Sequence, residues 1–184
     1  LFLAPMTHPD IFFQTHLEKL QNKQLYRQLF LLSPDTLNLM TNDYHGFSGH
    51  PIQTKTASGA GGSRLLGVNH PEIQKLENSI QTLLKAEACI VFPSGFQCHQ
   101  SVLQTMLSTQ QFVPVYDHLN HASLQSGISQ AVPRYRFRHN DTKDCQKKLE
   151  AALTQHPKLT PLLVLESIHS MDGTVALLES FLEL

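Results

Sequence analysis

The residues best equipped for chemistry stand directly behind short apolar runs. Ser94-Gly95-Phe96 follows Ala88-Cys89-Ile90-Val91-Phe92 and opens a stretch of helical spacing. A glycine at a strand-to-helix turn lets backbone N–H groups converge, and the helix start adds partial positive charge. Ser94 contributes a hydroxyl donor, so the trio suits a phosphate; a simple tight turn accounts for the same residues. Asp117-His118-Leu119-Asn120-His121-Ala122-Ser123 follows a second run. His118 and His121 at i, i+3 raise metal ligation, but a zinc site needs three or four ligands. No cysteine or second acidic group stands at a matching spacing, and the other histidines fall on separate elements, so no metal is expected. His121, at a helix start, could instead face a planar aromatic ligand; a surface or core histidine is the plainer reading.

Two further stretches qualify. Glu166-Ser167-Ile168-His169-Ser170-Met171-Asp172-Gly173 follows the apolar run Leu162-Leu163-Val164-Leu165. Met-Asp-Gly is a turn signal, and Ser170 lies just beyond the strand end. Ser58-Gly59-Ala60-Gly61-Gly62-Ser63-Arg64 permits close backbone approach to a ligand or partner. It lacks the Gly-Lys-Ser/Thr ending of a nucleotide phosphate loop, and no strand leads straight into it.

The elements that must position these residues are legible as periodicity. Phe13, Leu17, Leu20, Leu25, Leu29 and Leu32 predict a helix across residues 11–32, ended by Ser33-Pro34-Asp35. Leu37-Asn38-Leu39-Met40 and a polar, glycine-rich stretch to Asn69 follow. Asn69, Pro71 and Glu72 predict a box-like cap, with Ile73, Leu76, Ile80, Leu83 and Leu84 along one helix face. Residues 88–92 read as a short buried strand, and helical spacing resumes from Phe96 through Leu107. Residues 112–116 form a strand candidate weakened by Pro114. A small-residue helix near 121–131 comes next, then a half-exposed strand at Tyr135 and Phe137. Asp141 or Thr142 caps a helix carrying Leu149, Ala152 and Leu153, and residues 162–165 read as a strand buried on both faces. This alternation predicts an α/β fold: a mainly parallel sheet with helices on both faces, preceded by an N-terminal helical segment. Residues 1–50 would be the lead-in and residues 51–184 the domain proper.

Composition narrows the function. A length of 184 residues suffices for one medium domain with a real core. The net charge of −1 supplies no positive field for nucleic acid or anionic lipid. No apolar run reaches the roughly 20 residues of a membrane span, and the apolar Leu1-Phe2-Leu3-Ala4-Pro5-Met6 is too short for a secretory signal. Cys89, Cys98 and Cys145, odd in number and unpaired in spacing, fit a reduced compartment, so the cytoplasm is the default expectation.

Taken in order, Asn42-Asp43-Tyr44 with Gly46, Gly61-Gly62-Ser63-Arg64, His70 to Glu77, Ser94-Gly95-Phe96, His121-Ala122-Ser123, His139-Asn140-Asp141 and Ser170-Met171-Asp172-Gly173 form a series. That series resembles the α-oxoamine synthases, pyridoxal 5'-phosphate (PLP) enzymes of the aspartate-aminotransferase fold, type I. It is most similar to members serving biotin biosynthesis, and runs over residues 15–180, about the first half of a member. The resemblance implies a homodimeric acyltransferase that condenses an amino acid with an acyl thioester, releasing CO2. In the members it most resembles these are L-alanine and a pimeloyl thioester. It implies that Ser94, Gly95 and Phe96 hold the cofactor phosphate, that His121 stacks on the ring, and that Ser170 bonds near the ring hydroxyl. Glu166 would line the same pocket, Asn42 would lie near the substrate carboxylate, and residues 61–64 would border the site across a dimer interface. The family's Schiff-base lysine and pyridinium aspartate are expected beyond Leu184, so these 184 residues alone are expected to be inactive. His45, Gln97-Cys98-His99 and His169 stand where the family usually has smaller or apolar residues.

Overall fold

The computed structural model describes residues 9–29, 31–33, 35–39, 41–51, 61–67 and 69–184. Residues 1–6, Pro34, Met40 and residues 58–60, which entered the sequence reading, lie outside them. The chain divides into two compact units, Leu1–Gly59 and Ala60–Leu184.

In the first unit, α1 spans Pro9–Asn22. The helix predicted to run on to residue 32 stops ten residues early. The Leu25 N–H donates to the Leu20 carbonyl and the Gln24 N–H to the Gln21 carbonyl, with Gln24 in the left-handed region at φ 55°. This pair of bonds closes the helix, so the spacing of Leu25, Leu29 and Leu32 has no helix to act on. A second knot forms around Asp43, whose carboxylate accepts from the Phe47 and Ser48 N–H groups and from the Ser48 hydroxyl.

The second unit is built on a three-stranded, all-parallel sheet of order β2-β1-β3. Its elements are α2 (Pro71–Leu84), α3 (Gly95–Ser108), β1 (Phe112–Asp117), α4 (Ala122–Ile128), β2 (Tyr135–Phe137), α5 (Thr142–Gln155), β3 (Thr160–Val164) and α6 (Leu178–Leu182). The period-two alternation of strands sorts side chains onto two faces. Val113, Val115, Phe137 and Leu163 pack with Cys145 and Ala152 of α5 and Phe181 of α6. Val164, Leu162 and Tyr116 turn the other way, onto Leu103 of α3 and Leu124 and Ile128 of α4. The α/β fold with helices on both faces is therefore as expected. β3 is less buried than a strand covered on both faces, with Leu162 and Leu163 only half-buried.

Pro114 lies inside the central strand, fully buried. The Thr160 N–H donates to the Gln111 carbonyl, so by the alternation of a parallel ladder the Pro114 nitrogen faces β2. β2 begins only at Tyr135, opposite Val115, so no ladder bond is lost.

Two expectations are corrected ahead of α3. Asn69 does not cap α2: the N-cap is His70, without a side-chain cap bond, and Asn69 Oδ1 accepts instead from Arg64 Nε at 2.8 Å. Residues 88–92 are not a strand. No described strand pairs with them, Ile90 is exposed, and the Val91 N–H donates to Glu77. Glu77 also receives both Arg64 guanidinium nitrogens at 2.8 and 2.9 Å, and is the buried residue of α2. The Arg64 guanidinium, seconded by the Val91 N–H, lowers the Glu77 carboxyl to about 2. Leu76, Leu83 and Leu84, on the apolar face of the helix, are exposed.

Candidate active site

The carboxyl ends of the strands are where an open α/β sheet binds ligands, because the connecting loops diverge there. At this end β1 leads to α4 on one face, whereas β2 and β3 lead to α5 and α6 on the other.

Asp117, the last residue of β1, organises the rim. Its buried carboxylate accepts from the Leu119 N–H (2.8 Å), the Asn140 N–H (2.8 Å) and His139 Nδ1 (3.0 Å). Burial pushes this carboxyl up, but the N–H groups of Asn140 and Leu119 and the His139 ring outweigh it and hold it below the ordinary value. His139 Nε2 meets Thr174 Oγ1 at 2.8 Å, and Thr174 in turn donates to Asp172. Asn140, at φ 51°, donates from Nδ2 to the Val175 carbonyl and accepts the Leu177 N–H. Asp141 caps α5 by accepting the Asp144 N–H at 2.8 Å. His139 and Asn140 thus tie the end of β2 to Asp117 and to residues 174–177, and Asp141 ties it to α5.

The histidines do not stay apart on separate elements, as the spacing suggested. Asp117, His139 and His169 offer ligand atoms within 4.8 Å of one another. Both His139 nitrogens and both Asp117 oxygens are already engaged, so Asp117 and His139 form a hydrogen-bonded brace with Thr174, while the buried His169 Nδ1 has no hydrogen-bond partner among the described residues. The ring of His169 meets that of His139 edge-on at 4.4 Å.

The residues singled out from sequence take the following places. Ser94 is the N-cap of α3 and accepts the Gln97 N–H at 3.2 Å. Gly95 and Phe96 form the first helical positions, whose N–H groups have no partner within a helix; space is open beside Gly95. His121 is the N-cap of α4, exposed, with Nδ1 accepting the Ser123 N–H. Glu166, two residues past β3, accepts the His121 backbone N–H. Asn120 Nδ2 donates to the Val164 carbonyl at 2.9 Å, a second tie between the β1 loop and the end of β3. Contacts between α3 and α4 rise together along both helices: His99 with Ser123, Gln100 with Ser126, Leu103 with Gly127. The two helices therefore run parallel, and the Ser94 and His121 ends open in the same direction.

Ser170 is exposed in the turn between the bridge partners Ile168 and Val175. That turn is of the Asx type, Asp172 accepting the Thr174 N–H. Asn42 belongs to the first unit, apart from the unit that carries the others. Arg64 is committed to Glu77 and Asn69. A cleft of about 720 Å³ opens beside the rim rather than at these residues, lined by His118, Gln125, Arg134, Arg136 and Met171 among others. Sequence reasoning quoted Asp117 and His139 within its motifs without giving either a role, and missed Thr174; an aspartate closing an apolar run was the available signal.

No helix among the described residues is long and apolar enough to cross a membrane. The aminotransferase class I and II family profile matches residues 34–184. The chain is 31% identical over 191 residues to 5-aminolevulinate synthase of Rickettsia bellii, covering 91% of this chain and 45% of that protein. It is 33% identical over 195 residues to 8-amino-7-oxononanoate synthase of Granulibacter bethesdensis, covering 95% and 50%. The chain thus spans about half the length of the curated relatives it matches. Among solved structures it is similar to a serine palmitoyltransferase of Sphingomonas wittichii (28% identity, TM-score 0.62, 68% of this chain and 31% of that one). It is also similar to S. paucimobilis serine palmitoyltransferase with bound PLP–myriocin aldimine (29% identity, TM-score 0.61, 70% and 33%). Sequence profile, relatives and fold agree: the chain belongs to the aminotransferase class I and II family, in its α-oxoamine synthase branch.

Proposed function

We propose that this chain supplies the cofactor-facing half of a PLP-dependent acyltransferase that condenses an amino acid with an acyl thioester, releasing CO2. The observation that carries the reading is the shared opening of the α3 and α4 N-termini beside the carboxyl ends of the strands, with Glu166 bonded to the His121 backbone. The donor set fits PLP. The Ser94 hydroxyl and the N–H groups of Gly95 and Phe96 suit a phosphate dianion at a helix start. His121 presents an exposed ring for a planar partner, and Ser170 an exposed hydroxyl. Bound there, PLP supplies an electron sink for the carbanion of the condensation.

The chain's own residues bind and orient. Glu166 holds the backbone of His121, and Asn120 pins the same loop to β3. Asn42 serves the substrate carboxylate, in keeping with the family resemblance. Alanine with a pimeloyl thioester, the 8-amino-7-oxononanoate synthase reaction of biotin biosynthesis, is the preferred substrate pair. The Granulibacter relative's 95% coverage of this chain supports it. The 5-aminolevulinate synthase relatives support glycine as the alternative amino acid. We further propose a cytoplasmic homodimer, and no activity from these 184 residues alone, because none of their nine lysines stands in the glycine-flanked setting of the family's Schiff-base lysine.

Titrating PLP against the chain and following the cofactor's absorbance tests the site. Ser94→Ala is expected to weaken binding about tenfold, the loss of one hydrogen bond to a charged group; equal affinity would remove Ser94 from the site. Borohydride treatment of the loaded chain is expected to label no lysine. Assaying the full-length protein with alanine, glycine and serine against several acyl thioesters identifies the substrates.

A further inference from the structure

Ser123 is fully buried between two imidazoles. Its hydroxyl oxygen lies 2.7 Å from His121 Nδ1 and 2.9 Å from His99 Nδ1. Its backbone N–H also donates to His121 Nδ1, at 3.2 Å. A nitrogen that accepts an N–H carries a lone pair, so His121 Nδ1 bears no proton in this arrangement. The one hydroxyl hydrogen of Ser123 then turns to His121, and the oxygen is left to accept from His99 Nδ1–H. The backbone donor thus gives the sense of the chain, and the hydroxyl, held by His99, adds a second and shorter donor to the same His121 nitrogen.

The backbone holds His99 where it can do this. A Cβ added at Gly127 would lie 2.8 Å from Leu103 Cβ and 3.3 Å from the His99 carbonyl oxygen. Glycine alone permits so close an approach of α3 to α4, and Gln100 Nε2 donates across the same seam to Ser126 Oγ.

We propose that His99 is a positioning residue: through Ser123 it holds His121 as the neutral Nε2–H tautomer. The inference rests on the reading of His121 as the residue that faces the cofactor ring. A neutral imidazole lies against an electron-poor aromatic ring without the charge repulsion of an imidazolium, and a fixed tautomer leaves its donor edge in one place.

Long-range 15N–1H spectra of the histidine side chains, recorded on the whole chain without cofactor, read the tautomer directly. Wild type should show His121 predominantly as Nε2–H. His99→Phe keeps the ring's bulk but removes the donor, and should raise the Nδ1–H population about fivefold, as losing one ordinary hydrogen bond would. His99→Gln returns an N–H donor and should restore the wild-type ratio. Ser123→Ala cuts the same link from α4 and should match His99→Phe, which covers the case in which either variant fails to fold. An unchanged His121 ratio in a folded variant lacking the link overturns the proposal. Adding PLP separates the two layers. If His121 signals move with cofactor while its tautomer ignores His99, the positioning role fails alone. If they ignore cofactor in every variant, the ring-facing reading fails, and the positioning role in catalysis falls with it.

Discussion

Residues 61–93 and residues 112–182 belong to one unit but are held by opposite means. The later stretch buries apolar side chains: Val113, Val115, Phe137, Ala152 and Phe181 are at most 4% exposed. The earlier stretch buries a carboxylate, Glu77, and leaves Leu76, Leu83, Leu84 and Ile90 in solvent. Each fully buried apolar side chain contributes about 1.5–3 kcal/mol, so packing sets most of the cohesion of the later stretch, and the Asp117 carboxylate, held below its ordinary value, adds a part that acid removes. Among its described residues, the earlier one is tied by polar bonds, chiefly the junction of Arg64, Glu77 and the Val91 N–H. The contrast teaches that apolar periodicity reveals that a helix has a face, and says nothing of whether that face has a cover.

The largest test of this contrast is Phe137→Ala. Phe137 stacks on Phe181 at 5.7 Å and is 1% exposed, so urea unfolding should show a loss of about 3–5 kcal/mol. A loss below about 1 kcal/mol, the centre of the range for single substitutions, would mean that the later stretch is not held by packing.

Glu77→Gln should cost less and should act through acid. The folded carboxyl lies at about 2 against an ordinary 4.5, so its stabilisation is present above 4.5 and lost as pH falls toward about 2. Thermal unfolding of the two proteins should therefore converge across that window. Curves that stay parallel would detach Glu77 from the stability of its stretch. Leu83→Gln should be the smallest change, within about 0.5 kcal/mol, because Leu83 is 79% exposed. A larger loss on the isolated chain would show that α2 has a cover after all.

The same contrast marks what could be read before the structure. Helices α3 to α5 and strands β1 to β3 were legible because their side chains alternate between two real environments, as at Tyr135 and Phe137, whereas α2 was legible from its apolar spacing and Pro71 although its leucines are exposed. The end of α1 was not, because a left-handed Gln24 ended it where a glycine would have announced the stop. The strand at residues 88–92 was misread because an apolar run looks alike with or without a pairing edge. Ser94, His121 and Glu166 were visible as residues behind apolar runs. The Asp117–His139–Thr174 brace was not, because its members are 22 and 35 residues apart along the chain and meet only when three strand ends are brought together.

Pro114 bears on β2, a strand of only three residues. A slip of β2 by one residue would turn Phe137 out of its core. A slip by two restores the faces, but extending the strand backward would set a β2 carbonyl opposite the proline nitrogen, which has no hydrogen to give. The ladder thus has a stop built into its middle strand. The same ring bars an intruding edge from zipping along that side of β1 from its amino end. One imino acid therefore acts as the alignment mark for the shortest strand and as a guard against mispairing.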